Sequence, residues 1–141
     1  MGRPAKGEER LCPCGSGMLL ADCCTPYLSG RETAPTAEAL MRSRYTAYAL
    51  GRQSYLQATW HPSTRPANLH LDPSQNWLGL KVLRAEQGSQ NDDRGVVEFV
   101  ARFKVAGRGH RLHEISRFAK LDGRWLYLDG ERGGTDSSRR S

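Results

Sequence analysis

The chain has 141 residues, 38% of them hydrophobic and 26% charged, which suffices for one folded domain plus a small appendage. That balance excludes a wholly disordered chain, and no apolar run approaches the roughly 20 residues of a membrane-spanning helix. The net charge of +6 is concentrated late: residues 101–141 carry 10 basic and 5 acidic side chains.

A basic C-terminal third fits an acidic macromolecule as partner: single-stranded nucleic acid, a ribosomal surface or an acidic protein. Arg102, Lys104, Arg108, Arg111 and Arg117 are the candidates for that basic face. The plainer alternative is a set of merely solvated charges. The first ten residues, Met1 to Arg10, are polar and read as a loose arm. They lack the apolar core of a secretory signal, so a cytoplasmic protein with no membrane association is expected.

All four cysteines follow within a short segment, Cys12-Pro13-Cys14 and then Cys23-Cys24, and none occurs later. In a chain expected to stay in the cytosol such a cluster points to metal before disulfides. Four thiolates satisfy tetrahedral zinc, and Gly15 and Gly17 let the turn after Cys14 offer backbone N–H groups to sulfur. A site with four protein ligands has no open position, so a structural Zn2+ is expected, held by Cys12, Cys14, Cys23 and Cys24. The competing chemistry is redox, through a strained disulfide between Cys23 and Cys24. An iron–sulfur cluster is disfavoured by the spacing.

Residues 31–35 form a connector ending at Pro35. A helix is predicted from Thr36, which can cap it, with Glu38 in the first turn and Gly51 as the stop. Ala37, Leu40, Met41, Tyr45 and Tyr48 make one apolar stripe on it. A second helix is predicted over 53–60, ended by His61-Pro62, and residues 61–75 are turn-rich, with a short helical turn after Asp72. Strands are predicted near 77–87, 95–106, 109–121 and 124–129, joined at Asp92-Asp93-Arg94-Gly95, Gly107-Arg108-Gly109 and Asp122-Gly123. Helices followed by consecutive antiparallel strands make an α+β domain with the helices on one sheet face. The tail from Glu131 is expected to be flexible.

Cys12-Pro13-Cys14-Gly15-Ser16-Gly17 with Cys23-Cys24 resembles the SEC-C zinc motif. Leu40-Met41-Arg42-Ser43-Arg44-Tyr45-Thr46-Ala47-Tyr48 resembles the hallmark helix of the YchJ family, as do Thr59 to Pro66, Val97 to Arg102, His113 to Phe118 and Gly123 to Gly130. The resemblance covers roughly residues 11–130. It implies a SEC-C knuckle over 11–30, followed over 36–130 by a nuclear-transport-factor-2-like (NTF2-like) cone of antiparallel sheet wrapped on N-terminal helices. It brings no established activity with it. Some members carry a second, C-terminal SEC-C copy, which this chain lacks the cysteines to form. Between its cysteine pairs the knuckle has Met18-Leu19-Leu20-Ala21-Asp22, where motor-type SEC-C knuckles are basic and aromatic, a departure that weakens any transfer of their partner binding but not of the metal ligation.

A cone-shaped sheet leaves a cavity against its helices. On the third predicted strand Leu112, Glu114, Ser116 and Phe118 share one face, which would bring Glu114 and Ser116 into that cavity. A carboxylate there must be paired or protonated, and an ion pair with Arg42 or Arg44 is the ordinary solution. Tyr48, Trp60 and His61 are the other candidate pocket residues, whereas Trp125 and Tyr127 read as core aromatics.

No nucleotide-binding or hydrolase motif is present in the sequence. The expectation is therefore a zinc-binding adaptor that docks an acidic partner and is not an enzyme. The alternative is a small-molecule enzyme or carrier using the cavity around Glu114. Met18, Leu19 and Leu20 are expected to pack against the helical side of the domain, near Tyr27 and Leu28, instead of remaining exposed.

Overall fold

The structure is a computed structural model and describes residues 10–132. After a 3-10 turn at Leu20–Asp22 come three helices, α1 (Thr25–Leu28), α2 (Ala37–Leu50) and α3 (Gln53–Ala58). Four strands follow, β1 (Gln75–Gln87), β2 (Arg94–Val105), β3 (Arg108–Leu121) and β4 (Arg124–Arg132). They form one antiparallel sheet in the order β1-β2-β3-β4, with the helices on one face, which is the α+β architecture read from the sequence.

Local chemistry sets the ends of α2. Thr36 Oγ1 accepts from the Ala39 N–H at 3.0 Å, and Gly51 ends the helix with φ 75°. The helix is buried on several sides: Leu40, Met41 and Tyr45 are buried, and so are the polar Ser43, Arg44 and Thr46. It therefore serves as an axis with different neighbours on each side.

Helix α3 ends at Ala58, two residues before the predicted limit, because β4 claims the backbone there. The Tyr127 N–H donates to the Thr59 carbonyl and the His61 N–H to the Tyr127 carbonyl, each at 2.8 Å. No helical turn follows Asp72. Its carboxylate instead accepts from the Ser74 N–H and hydroxyl at 2.9 and 2.6 Å, a side-chain turn that competes with helix.

The β2–β3 hairpin turns at Ala106-Gly107, with φ 52° and 79°, and not at the predicted Gly107-Arg108-Gly109; Arg108 and Gly109 already belong to β3. Asp122-Gly123 makes the same kind of two-residue turn, with φ 54° and 79°. Strand β4 continues through Glu131 and Arg132, so these two do not belong to a flexible tail. The remainder of that predicted tail, and the predicted arm up to residue 9, lie outside the described residues. Among the described residues no helix is long and apolar enough to cross a membrane.

Burial raises the tyrosines that face the interior. It pushes Tyr45 up from the ordinary 10.0 to about 12, and it raises Tyr48, Tyr55 and Tyr127 as well, the last with Glu114 adding to the effect. Neutral phenols are thus favoured in the folded state. Their contribution to stability is whole below the ordinary value near 10 and is lost as pH climbs through the raised folded values, about 12 for Tyr45. Alkaline titration followed at 295 nm should show these four tyrosines ionising late and together with unfolding. Independent ionisation of all of them near pH 10, with the fold intact, would contradict the packing.

Candidate metal centre and cavity

The cysteine segment folds back on itself through Leu11 and Leu19, which form an antiparallel bridge, and the Cys12 N–H bonds the Met18 carbonyl at 2.8 Å. The four Sγ atoms then lie within 4.8 Å of one another. Cys14 and Cys23 sulfurs are 3.6 Å apart and those of Cys23 and Cys24 are 4.0 Å apart. A tetrahedron with 2.3 Å metal–sulfur bonds has edges of about 3.8 Å, whereas an S–S bond is about 2.05 Å. The spacing fits a metal centre.

Cys12, Cys14 and Cys24 are buried, and Cys23 is half-buried at the rim. The neighbouring thiols Cys12 and Cys24 hydrogen-bond to Cys14 and hold it far below the usual thiol range. Burial pushes Cys23 up to about 11, while hydrogen bonding to Cys12 and Cys14 raises Cys24. Cys14 is thus favoured as thiolate at the expense of Cys23 and Cys24. A soft divalent cation lets all four deprotonate.

Helix α2 holds the knuckle in place. Thr46 Oγ1 donates to Cys24 Sγ at 3.3 Å and lies 3.5 Å from Cys12 Sγ. Arg42 Nη1 donates to the Cys14 carbonyl at 2.8 Å, and Ser16 Oγ lies 3.2 Å from Cys23 Sγ. Leu20 is 5% exposed and joins the same core as Cys12, Cys14, Cys24, Tyr27 and Leu28. The expected packing of Met18 and Leu19 does not occur: they stay 49% and 41% exposed. The bridge to Leu11, itself 62% exposed, keeps that short hairpin at the outside while the next residue turns inward.

On the opposite side of α2 a cavity of about 290 Å3 lies against the sheet. Tyr48, Trp60, Glu114 and Ser116 line it, as read from the sequence, together with Met41, Arg44, Tyr45, Gln75, Trp77, Phe99, Ala101, Leu112, Phe118 and Tyr127. His61 does not line it. Trp60 points inward at the bridge to β4, so the next residue points outward, and His61 Nδ1 takes up the Ser63 N–H and hydroxyl at 3.1 and 2.8 Å. Trp125 lies elsewhere in the core, with Nε1 donating to the Pro35 carbonyl at 3.2 Å.

The expected ion pair of Glu114 with Arg42 or Arg44 is absent among the described residues. Arg42, two residues from Arg44, faces the knuckle side and binds Glu38 at 3.1 Å. The Arg44 guanidinium lies against a pair of edge-to-face rings, 5.0 Å from the Trp60 centroid and 4.7 Å from that of Tyr127. Its Nη1 donates to the Leu56 carbonyl at 2.9 Å and to Thr59 Oγ1 at 2.7 Å. Burial lowers its pKa from the ordinary value, and the nearby tyrosines and Glu114 oppose that shift. Glu114 Oε2 accepts from Ser116 Oγ at 2.7 Å and from the Tyr127 hydroxyl at 3.1 Å.

Comparison with known proteins agrees with this arrangement of knuckle and cone. A family profile described as "YchJ, middle NTF2-like domain" matches residues 36–130, and the SEC-C motif matches residues 11–26. The chain belongs to the YchJ family. A UPF0225 protein of Chromobacterium violaceum is 60% identical over 129 residues, covering 89% of this chain and 95% of that protein. Another, of Ralstonia nicotianae, is 49% identical over 140 residues, covering 91% and 95%. The solution structure of a SEC-C motif containing protein from Rhodopseudomonas palustris superposes with TM-score 0.79 at 40% identity, covering 87% of this chain and 98% of that one.

In this YchJ-family protein the five candidate basic residues do not form one surface. Arg102, Lys104 and Arg111 are exposed on the sheet face away from the helices, beside Lys81. Arg108 pairs with Val105 and so shares the other face, that of His110 and Leu112. Arg117 binds Asp129 at 2.7 Å. The functional residues that sequence reading missed are Thr46, Ser16 and the knuckle-holding role of Arg42. Burial of Arg44 was legible in principle, because it falls on the stripe of Met41, Tyr45 and Tyr48 at helical spacing.

Proposed function

We propose that this YchJ-family protein binds a small molecule in the cone cavity and that a structural zinc ion braces the fold that encloses it. One observation carries the first part: the aromatic side chains line the cavity and leave it open, with a buried guanidinium and a carboxylate in its wall. Interiors are ordinarily packed to near-crystal density, and ligand sites are apolar hollows with a few placed polar groups. Zinc is supported by the donor set, since four closely spaced thiolates suit it better than harder cations.

A fragment screen by ligand-observed NMR should return binders that the Ala101→Leu variant no longer holds, because the longer side chain fills the cavity. Equal binding to both proteins, or no binders at all, would remove the ligand-binding reading.

A separate observation favours a second reading, docking of an acidic macromolecule on the outer sheet face. Arg102 and Arg111 occupy directly paired positions across β2 and β3, beside Lys81 and Lys104. A row of basic side chains on one exposed sheet face attracts a polyanion through its summed field. Single-stranded RNA should then bind at low salt, weaken steeply as salt rises, and lose affinity in Arg102→Glu. A flat titration at low salt eliminates nucleic acid and leaves an acidic protein.

A further inference from the structure

We infer that the cavity takes an uncharged ligand that donates a hydrogen bond, a hydroxyl or N–H on a small apolar body, and that Glu114 Oε1 receives it. The inference rests on the ligand-binding reading above and names the class of ligand. Ser116 and Tyr127 both donate to Oε2, and no hydrogen bond from a described residue reaches Oε1. A carboxylate can accept about four hydrogen bonds. The one in this wall therefore has an oxygen available to the occupant of the cavity.

The carboxylate is held where it is by a third residue. A Cβ at Gly130 would lie 2.1 Å from Glu114 Oε2 and 2.7 Å from its Cδ. Gly130 sits within β4, has no positive φ and makes no turn, so its own backbone does not call for glycine. Glycine weakens a strand interior, and it is expected there where another group approaches closely. In β4 that group is the Glu114 side chain. Gly130 is thus a positioning residue for the carboxylate.

Charge selects the class of ligand. The cavity has one cation, Arg44, and one anion, Glu114, in its wall. The guanidinium lies against the Trp60 and Tyr127 rings, and its Nη1 is committed to Leu56 and Thr59. An anionic ligand meets Glu114 and a cationic one meets Arg44, whereas a neutral donor meets neither penalty. The volume of about 290 Å3 suits a single ring or a molecule of similar size.

Four probes of one ring size test this on the whole chain by NMR titration: phenol, anisole, benzoate and benzylamine. Phenol should bind about tenfold more tightly than anisole, the effect of one hydrogen bond to a charged acceptor, and more tightly than either charged probe. In Glu114→Gln the amide oxygen takes the bonds from Ser116 and Tyr127 and the NH2 faces the cavity, so the preference for phenol disappears. Gly130→Ala, which displaces the carboxylate without changing its charge, should abolish the same preference and leave anisole within about twofold. Equal binding of phenol and anisole, tighter binding of a charged probe, or a preference that survives both substitutions overturns the inference while the ligand-binding reading stands. If none of the four probes shifts the cavity resonances, both fall together.

Discussion

Removing the metal should lower the melting temperature of the entire domain by about 10 °C or more, a shift that corresponds to roughly 3 kcal/mol at this size. Knuckle and cone share one core. Cys14 is 0% exposed, Cys24 1% and Leu20 5%, and Thr46 of α2 touches two of the ligand sulfurs. Without a cation the buried thiols cannot all ionise, and releasing Leu20 alone forfeits about 2 kcal/mol of burial. Differential scanning calorimetry before and after treatment with a strong chelator measures the shift. Metal analysis of protein purified under reducing, chelator-free conditions should show one zinc per chain, with the content reduced in Cys23→Ser. Protein that has lost its metal but melts unchanged would make the knuckle an independent module. The exposed Leu11, Met18 and Leu19 would then be a docking patch.

Substituting Arg44 by alanine should cost about 3 kcal/mol of folding stability in chemical denaturation. The side chain is 5% exposed, makes two hydrogen bonds that fasten α3 to α2, and packs against Trp60 and Tyr127. Its removal leaves the Leu56 carbonyl with only the long 3.4 Å hydrogen bond from Thr59 Oγ1 and enlarges the cavity. Thr59 Oγ1 still donates to the Tyr55 carbonyl at 2.7 Å, which limits the loss. Arg44→Lys should recover little, because a compact, strongly hydrated ammonium group lacks the delocalised plane that packs against these rings. A loss under about 1 kcal/mol in Arg44→Ala would show that Arg44 is not a strut of this wall. If the ligand then bound more weakly with stability intact, the guanidinium would belong to recognition.

Both effects come from the two sides of α2, and that helix links knuckle and cavity physically. Arg42 and Thr46 face the sulfur cluster, and Arg44, Tyr45 and Tyr48 face the cavity, all within two turns. Loss of metal is therefore expected to loosen the cavity wall as well as the knuckle.

The sequence by itself determined whatever depends on local spacing. Four cysteines in one short segment come together as a cluster of sulfurs within metal-binding distance, and Thr36 and Gly51 mark the ends of α2 through capping chemistry within a residue or two. Alternation along β3 was enough to place Leu112, Glu114, Ser116 and Phe118 on one face, because the side-chain period of a strand is two. Only the tertiary structure decided what meets across the chain. The partner of Arg44 proved to be a pair of aromatic rings and two α3-side acceptors, since Trp60 and Tyr127 come together only when residue 60 bridges β4. His61 turned away from the cavity for the same reason. Arg108 left the basic face because the hairpin turned one residue earlier than Gly107-Arg108-Gly109 suggested, and a strand's facing follows from its register. Gly130 carried no local signal at all; its meaning lies in a carboxylate sixteen positions earlier, brought to it by the β3–β4 pairing. Local chemistry is written along the chain, but burial and pairing between distant residues follow from packing, which no single segment encodes.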